Sequence, residues 1–111
     1  MITSAEFQAL FHRGKRIDRL SFLVLWHEAG HARRVGFAVS RQVSRAVDRN
    51  RVRRRLREAY RGARDTAPAA AAIVVVGKKQ ALEVALGGLI AELRGAFAAM
   101  EASRPVIGPQ E

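Results

Sequence analysis

Two stretches hold the residue types best able to do chemistry. His27-Glu28-Ala29-Gly30-His31 matches H-E-x-x-H, a pattern in which a helix sets two imidazoles one turn apart on zinc while the glutamate activates water. Residues 49–61 hold seven arginines against one acidic residue, Glu58. Guanidinium groups grip phosphate oxygens two at a time and stack on bases, so this run has the chemistry of polyanion binding rather than of bond cleavage.

The zinc reading fits its surroundings poorly. The motif follows a strand-like apolar run without a break, contains Gly30, and is followed within a few residues by another strand-like run. That context suits a hairpin loop and leaves no room for a long active-site helix. The one other histidine is His12, and a third zinc ligand would need a fold that this length hardly supplies. Asp18, Glu28, Asp48 and Glu58 are scattered among arginines rather than paired, which gives no support to a two-metal nuclease centre. Gly77-Lys78-Lys79 is too short to be a phosphate-cradling loop. No catalytic side chain and no metal ligand is expected on this chain.

Composition points the same way. The 111 residues suit one ordinary domain, and 49% hydrophobic with 27% charged residues is the balance of a globular chain. No apolar run approaches the ~20 residues of a membrane-spanning helix. Twenty Lys plus Arg against ten Asp plus Glu give a net charge of +10, whose self-repulsion a polyanion would relieve. The absence of cysteine excludes disulfides, thiolate zinc sites and cysteine nucleophiles. The start, Met1-Ile2-Thr3-Ser4, has no signal-peptide pattern, so the expected location is the cytoplasm.

The elements that must position these residues follow from pattern. Thr3 and Glu6 form a capping box for a helix over residues 4–13 that ends at Gly14, with Phe7, Leu10 and Phe11 on one face. Residues 22–26 and 35–39 read as an antiparallel strand pair. A basic helix spans 45–64, followed by an Ala-rich connector over 66–72, around Pro68, whose composition would allow mobility. Residues 73–76, four apolar side chains in a row, predict a central strand covered on both faces. A last helix over 81–100 aligns Leu82, Leu86, Leu89, Leu93, Phe97 and Met100, with Gly87 and Gly88 a propensity cost of up to ~2 kcal/mol. Residues 1–104 make the single domain and 105–111 a flexible tail.

At 100° per residue, Val52, Leu56, Ala59 and Ala63 share a narrow sector of the basic helix, with Tyr60 at its border. The opposite side collects Asn50, Arg53, Arg54, Arg57, Arg61 and Arg64. Solvated charged faces normally mix signs to gain i,i+4 pairs, whereas a row such as Arg53, Arg57 and Arg61 repels itself. A polyanion lying against the row removes that cost.

Arg34-Val35-Gly36-Phe37-Ala38-Val39-Ser40-Arg41, followed by 46–61 with its Arg49-Asn50-Arg51 core and Arg53-Arg54, resembles the signature of the bacterial ribonuclease P protein family. The order of elements fits along nearly the whole chain. Gln42 stands where many members carry a second basic residue, and Ser44 where glycine is common. The resemblance implies an α+β two-layer sandwich, a small central mixed sheet of about four strands with three helices, ribosomal-protein-S5-like. It implies a protein subunit of a ribonucleoprotein endoribonuclease that removes the 5′ leader of precursor tRNA. Arg49, Asn50, Arg51, Arg53, Arg54, Arg57 and Arg61 would bind the catalytic RNA. Phe7, Phe11, Ser40, Arg41, Arg45, Lys78 and Lys79 would bind the unpaired leader. The Mg²⁺ ions would sit mainly on RNA. One protein would join one RNA, the free protein would be a monomer or weak dimer, and no membrane would be involved. The alternative reading is a ribosomal or assembly RNA-binding protein, and the zinc metalloprotease comes third.

Overall fold

A computed structural model describes residues 3–28 and 32–102. Helix α1 (Ser4–Arg13) starts as its capping box requires: the Thr3 hydroxyl accepts from the Glu6 N–H at 3.2 Å, and the Glu6 carboxylate accepts from the Thr3 N–H at 3.1 Å. It ends at Gly14, which keeps an extended backbone. Glycine is needed there for space, since a Cβ would lie 2.6 Å from the Leu10 carbonyl oxygen.

Strands β1 (Lys15–Asp18), β2 (Phe22–Glu28), β3 (Arg34–Val39) and β4 (Ala71–Gly77) form one sheet in the order β1-β2-β4-β3. The expected pairing of residues 22–26 with 35–39 is not formed. β4 lies between them, antiparallel to β2 and parallel to β3, with Val75 opposite both Val24 and Phe37. The physical reason is that β4 is apolar on both faces and therefore takes the centre. A parallel β3/β4 pair also needs a long crossover, and helix α2 (Ala46–Ala63) supplies it. β2 and β3 are thus separated by β4 and do not form a hairpin. β1 has one apolar residue in four and lies at the edge, so periodicity had nothing to detect.

One sheet face, with Phe22, Val24, Trp26, Ile73 and Val75, packs against Val52, Leu56, Ala59 and Ala63 of α2 and against Leu89, Leu93, Phe97 and Met100 of helix α3 (Leu86–Ala102). These α2 positions are the stripe predicted from the 100° period. The opposite face is covered only in part, by Leu10 of α1 against Leu25, Ala72 and Val74. α3 starts later than the expected residue 81, after a 3-10 turn over Lys79–Leu82. Gly87 and Gly88 therefore fall in its first turn instead of its interior, where glycine costs more. Within the Ala-rich connector, Ala67 and Pro68 are buried and residues 71–72 belong to β4, while Ala69 is exposed. The tail 105–111 lies outside the described residues.

Two features hold α2 where it crosses the sheet. Gly77 of β4 has no room for a side chain, because a Cβ there would press on Val52 and lie 2.9 Å from Leu56 Cδ1. At the start of α2, Arg49 is half-buried and gives hydrogen bonds to three carbonyls of the preceding loop: Nη1 to Ser40 at 3.1 Å and to Val43 at 2.9 Å, and Nη2 to Val39 at 3.3 Å. Gly77→Ala should force α2 off β4 and lower the unfolding free energy by about 1–3 kcal/mol, read as a lower urea midpoint. Arg49→Ala leaves three carbonyls without their charged donor and should cost about 2–3 kcal/mol in the same measurement.

Candidate nucleic-acid interface

The part of the sheet that α1 leaves uncovered becomes the floor of a cleft of about 900 Å³. Leu23 of β2, Val76 of β4 and Ala38 of β3 form that floor, each half-buried and side by side in the register. One wall is α1, from which Phe7 and Phe11 project with ring centroids 6.2 Å apart and planes 32° apart. The other wall is the loop after β3 and the start of α2, with Ser40, Arg41, Arg49 and Arg53. A smaller hollow of about 260 Å³ continues toward the N-terminal end of α1 beside Thr3, Gly36 and Val74.

Local interactions fix both walls. α1 is tied to β3 by an ion pair between Glu6 and Arg34, in addition to the packing of Leu10 on the sheet. The Thr3 backbone N–H, helped by Arg34, holds the Glu6 carboxyl below its ordinary pKa, so it stays charged where the clamp needs it. The opposite wall is the loop that Arg49 pins. Within it the Gln42 backbone N–H donates to the Ser40 hydroxyl at 3.2 Å.

The candidate residues distribute unevenly over this geometry. Phe7, Phe11, Ser40 and Arg41 meet in the cleft. Arg49 and Arg53, assigned by resemblance to the other RNA surface, line the same cleft, and Arg53 Nη1 donates to Asn50 Oδ1 at 3.3 Å. Arg45, Lys78 and Lys79 are not among its lining residues. Arg45 stands exposed before α2, 3.9 Å from Asp48. Lys78 follows the floor strand and is engaged by the Asp18 carboxylate at 2.5 Å and the Arg19 carbonyl at 2.7 Å. Its ammonium, chiefly through that hydrogen bond, lowers the Asp18 pKa. Lys79 is exposed one residue further on.

Asn50, Arg51, Arg54, Arg57 and Arg61 are exposed along α2, and Arg61 has Glu58 at 3.9 Å. This ridge begins at the cleft wall and leads away from it. Arg55 is different: its Nε donates to the Ala81 carbonyl at 2.8 Å and its Nη2 to that of Val84, so it fastens α2 to the segment before α3. Sequence reasoning missed the floor residues Leu23 and Val76, because both strands are continuous apolar runs in which no polar alternation marks one face. It also missed Arg16, whose guanidinium lies 5.3 Å from the Phe11 ring centroid, because β1 carried no signal. His27 and Glu28 end β2 as extended strand, which is not the helix that the zinc motif requires; His31 lies outside the described residues.

No described helix is long and apolar enough to cross a membrane. The family described as Ribonuclease P matches residues 1–101. The ribonuclease P protein component of Desulfovibrio desulfuricans is 49% identical over 84 residues, 73% of this chain and 65% of that protein, just under two-thirds of its length. That of Symbiobacterium thermophilum is 38% identical over 80 residues, 70% of each chain. Among solved structures, the ribonuclease P protein of Thermotoga maritima superposes with a TM-score of 0.74 at 27% identity, over 85% of this chain and 90% of that one. The Staphylococcus aureus protein shares the fold, with a TM-score of 0.72 at 21% identity over 91% and 93% of the two chains. With a family match over nearly its whole length and these walls around its cleft, this chain belongs to the ribonuclease P protein family.

Proposed function

We propose that this chain is the protein subunit of a ribonuclease P, which binds the catalytic RNA and assists endonucleolytic removal of the 5′ leader from precursor tRNA. The observation that carries the reading is the cleft itself, where two aromatic rings and an apolar floor face Arg41 and Arg53, with Arg49 pinning the loop of that wall. An unpaired strand has exposed base faces and a charged backbone, so rings on one wall and guanidinium groups on the other hold it with little sequence preference. A duplex offers no free base face to such rings. The exposed ridge of Arg51, Arg54, Arg57 and Arg61 suits a second, folded RNA, here the catalytic RNA, whose phosphates would relieve the repulsion along α2.

In this reading the chain supplies binding and orientation, and the hydrolysis belongs to the RNA partner. Mg²⁺ held mainly by RNA phosphates would polarise the scissile phosphate and generate the hydroxide nucleophile. One protein would act with one RNA, in the cytoplasm. A ribosomal or assembly RNA-binding protein would share the ridge but would have no dependence on a leader.

The test combines the protein with a bacterial ribonuclease P RNA at low magnesium and a precursor tRNA with or without its leader. The protein should increase cleavage efficiency for the leader-bearing substrate well beyond any gain without it; equal gains would refute the leader assignment. For the ridge, Arg54→Ala or Arg57→Ala should reduce the salt dependence of RNA affinity by up to about one unit in log–log slope for each phosphate no longer neutralised. An unchanged slope would return those residues to plain solvation.

A further inference from the structure

Arg16 is the one cationic side chain on β1 that shares the cleft face of the sheet. In the register it stands opposite Leu25, which packs with Leu10 on that face, whereas its neighbour Lys15 stands opposite Trp26 on the other. Its guanidinium carbon lies 5.3 Å from the Phe11 ring centroid, and its Nη2 donates to the Phe11 carbonyl at 3.0 Å. A surface arginine ordinarily loses substantial rotamer entropy on engaging a ligand. Here much of that loss is already incurred in the free protein. The guanidinium is planar, its carbon lies over the Phe11 ring, and the residue is exposed. Phe11 thus contacts both Phe7 and Arg16, and Arg16 adjoins the cleft through Phe11 without being one of its lining residues.

The only acidic neighbour on this face of β1 is Asp18, two residues on, and Lys78 holds its carboxylate at 2.5 Å. An approaching phosphate therefore meets a compensated pair there rather than a bare negative charge. We infer that Arg16 extends the cleft by one binding position, taking an unpaired RNA base on the outer face of its guanidinium, with Phe11 on the inner face. Guanidinium planes stack on bases as aromatic rings do and add charge attraction to the neighbouring phosphates. The inference rests on the proposed binding of a leader in the cleft and names where that strand leaves it.

The experiment uses the enzyme reconstituted with ribonuclease P RNA and precursor tRNAs whose leaders are lengthened one nucleotide at a time, with substrate affinity as the readout. The unmodified protein should show affinity rising with leader length to a plateau. In Arg16→Ala the plateau should come about one nucleotide earlier and lie roughly fivefold or more lower, the effect of losing one stacked base. Short leaders and the leaderless substrate should be unaffected, which also shows that fold and RNA docking are intact. Arg16→Lys, which keeps the charge and loses the plane, should behave like Arg16→Ala. Three results would overturn the inference: an unchanged profile in Arg16→Ala, full recovery by lysine, or an equal loss with the leaderless substrate. If the unmodified protein shows no dependence on a leader, the proposed function fails and this inference with it; a normal dependence that Arg16→Ala leaves intact removes this inference alone.

Discussion

The burial of β4 on both faces is the constraint on which the rest of the structure depends. A strand reading Ala-Ala-Ile-Val-Val-Val-Gly has no polar face to give to solvent, so it must be flanked by strands on both edges and covered above and below. α2 and α3 together bury the β2 and β4 side chains of one face. The short helix α1 covers only part of the other. What remains, Leu23, Ala38 and Val76 side by side, is apolar surface left half open between a helix and a loop. The cleft is therefore a consequence of unequal coverage of one sheet, and its walls are the elements that stop short of closing it.

The arginines divide between two tasks that composition counts as one. Arg49 and Arg55 direct their guanidinium groups at carbonyls of the loops beside α2, Arg33 at the Ala67 carbonyl, and Arg34 at Glu6. Each satisfies backbone or carboxylate oxygens at a joint between elements, where an unpaired acceptor would be costly. Arg51, Arg54, Arg57 and Arg61 point outward. The positive charge of this chain thus builds the platform as well as the binding surface. The same helix does both because its residues facing the loops and its residues facing solvent alternate within each turn.

Much of this was legible in the sequence, and the parts that were not have physical causes. The capping box, the α2 stripe of Val52, Leu56, Ala59 and Ala63, and the central place of residues 73–76 follow from short-range chemistry and period, which act within a few residues. Strand order does not. Residues 22–26 and 35–39 look like neighbours until β4, more than thirty residues later, is seen to need both of them as partners. The aromatic pair and Arg41, grouped by resemblance, lie around one cleft. The presence of Arg49 and Arg53 in that same cleft was not visible, because a helix wheel shows which way a side chain leaves its helix and not what stands opposite. Arg49 was read as an RNA-binding residue from its motif, yet its guanidinium gives three hydrogen bonds within the chain. Its half-buried state depends on a loop whose path no local pattern encodes.

The central claim is that the cleft between α1 and the start of α2 holds an unpaired strand while the outer ridge of α2 meets a different RNA. A photo-crosslinking amino acid placed at Phe11 in one protein and at Arg57 in another, each assembled with ribonuclease P RNA and a leader-bearing precursor tRNA, tests it most directly. The expected result is a crosslink from position 11 to leader nucleotides and from position 57 to the ribonuclease P RNA. Crosslinks from position 11 to the ribonuclease P RNA, with none to the leader, would contradict the account.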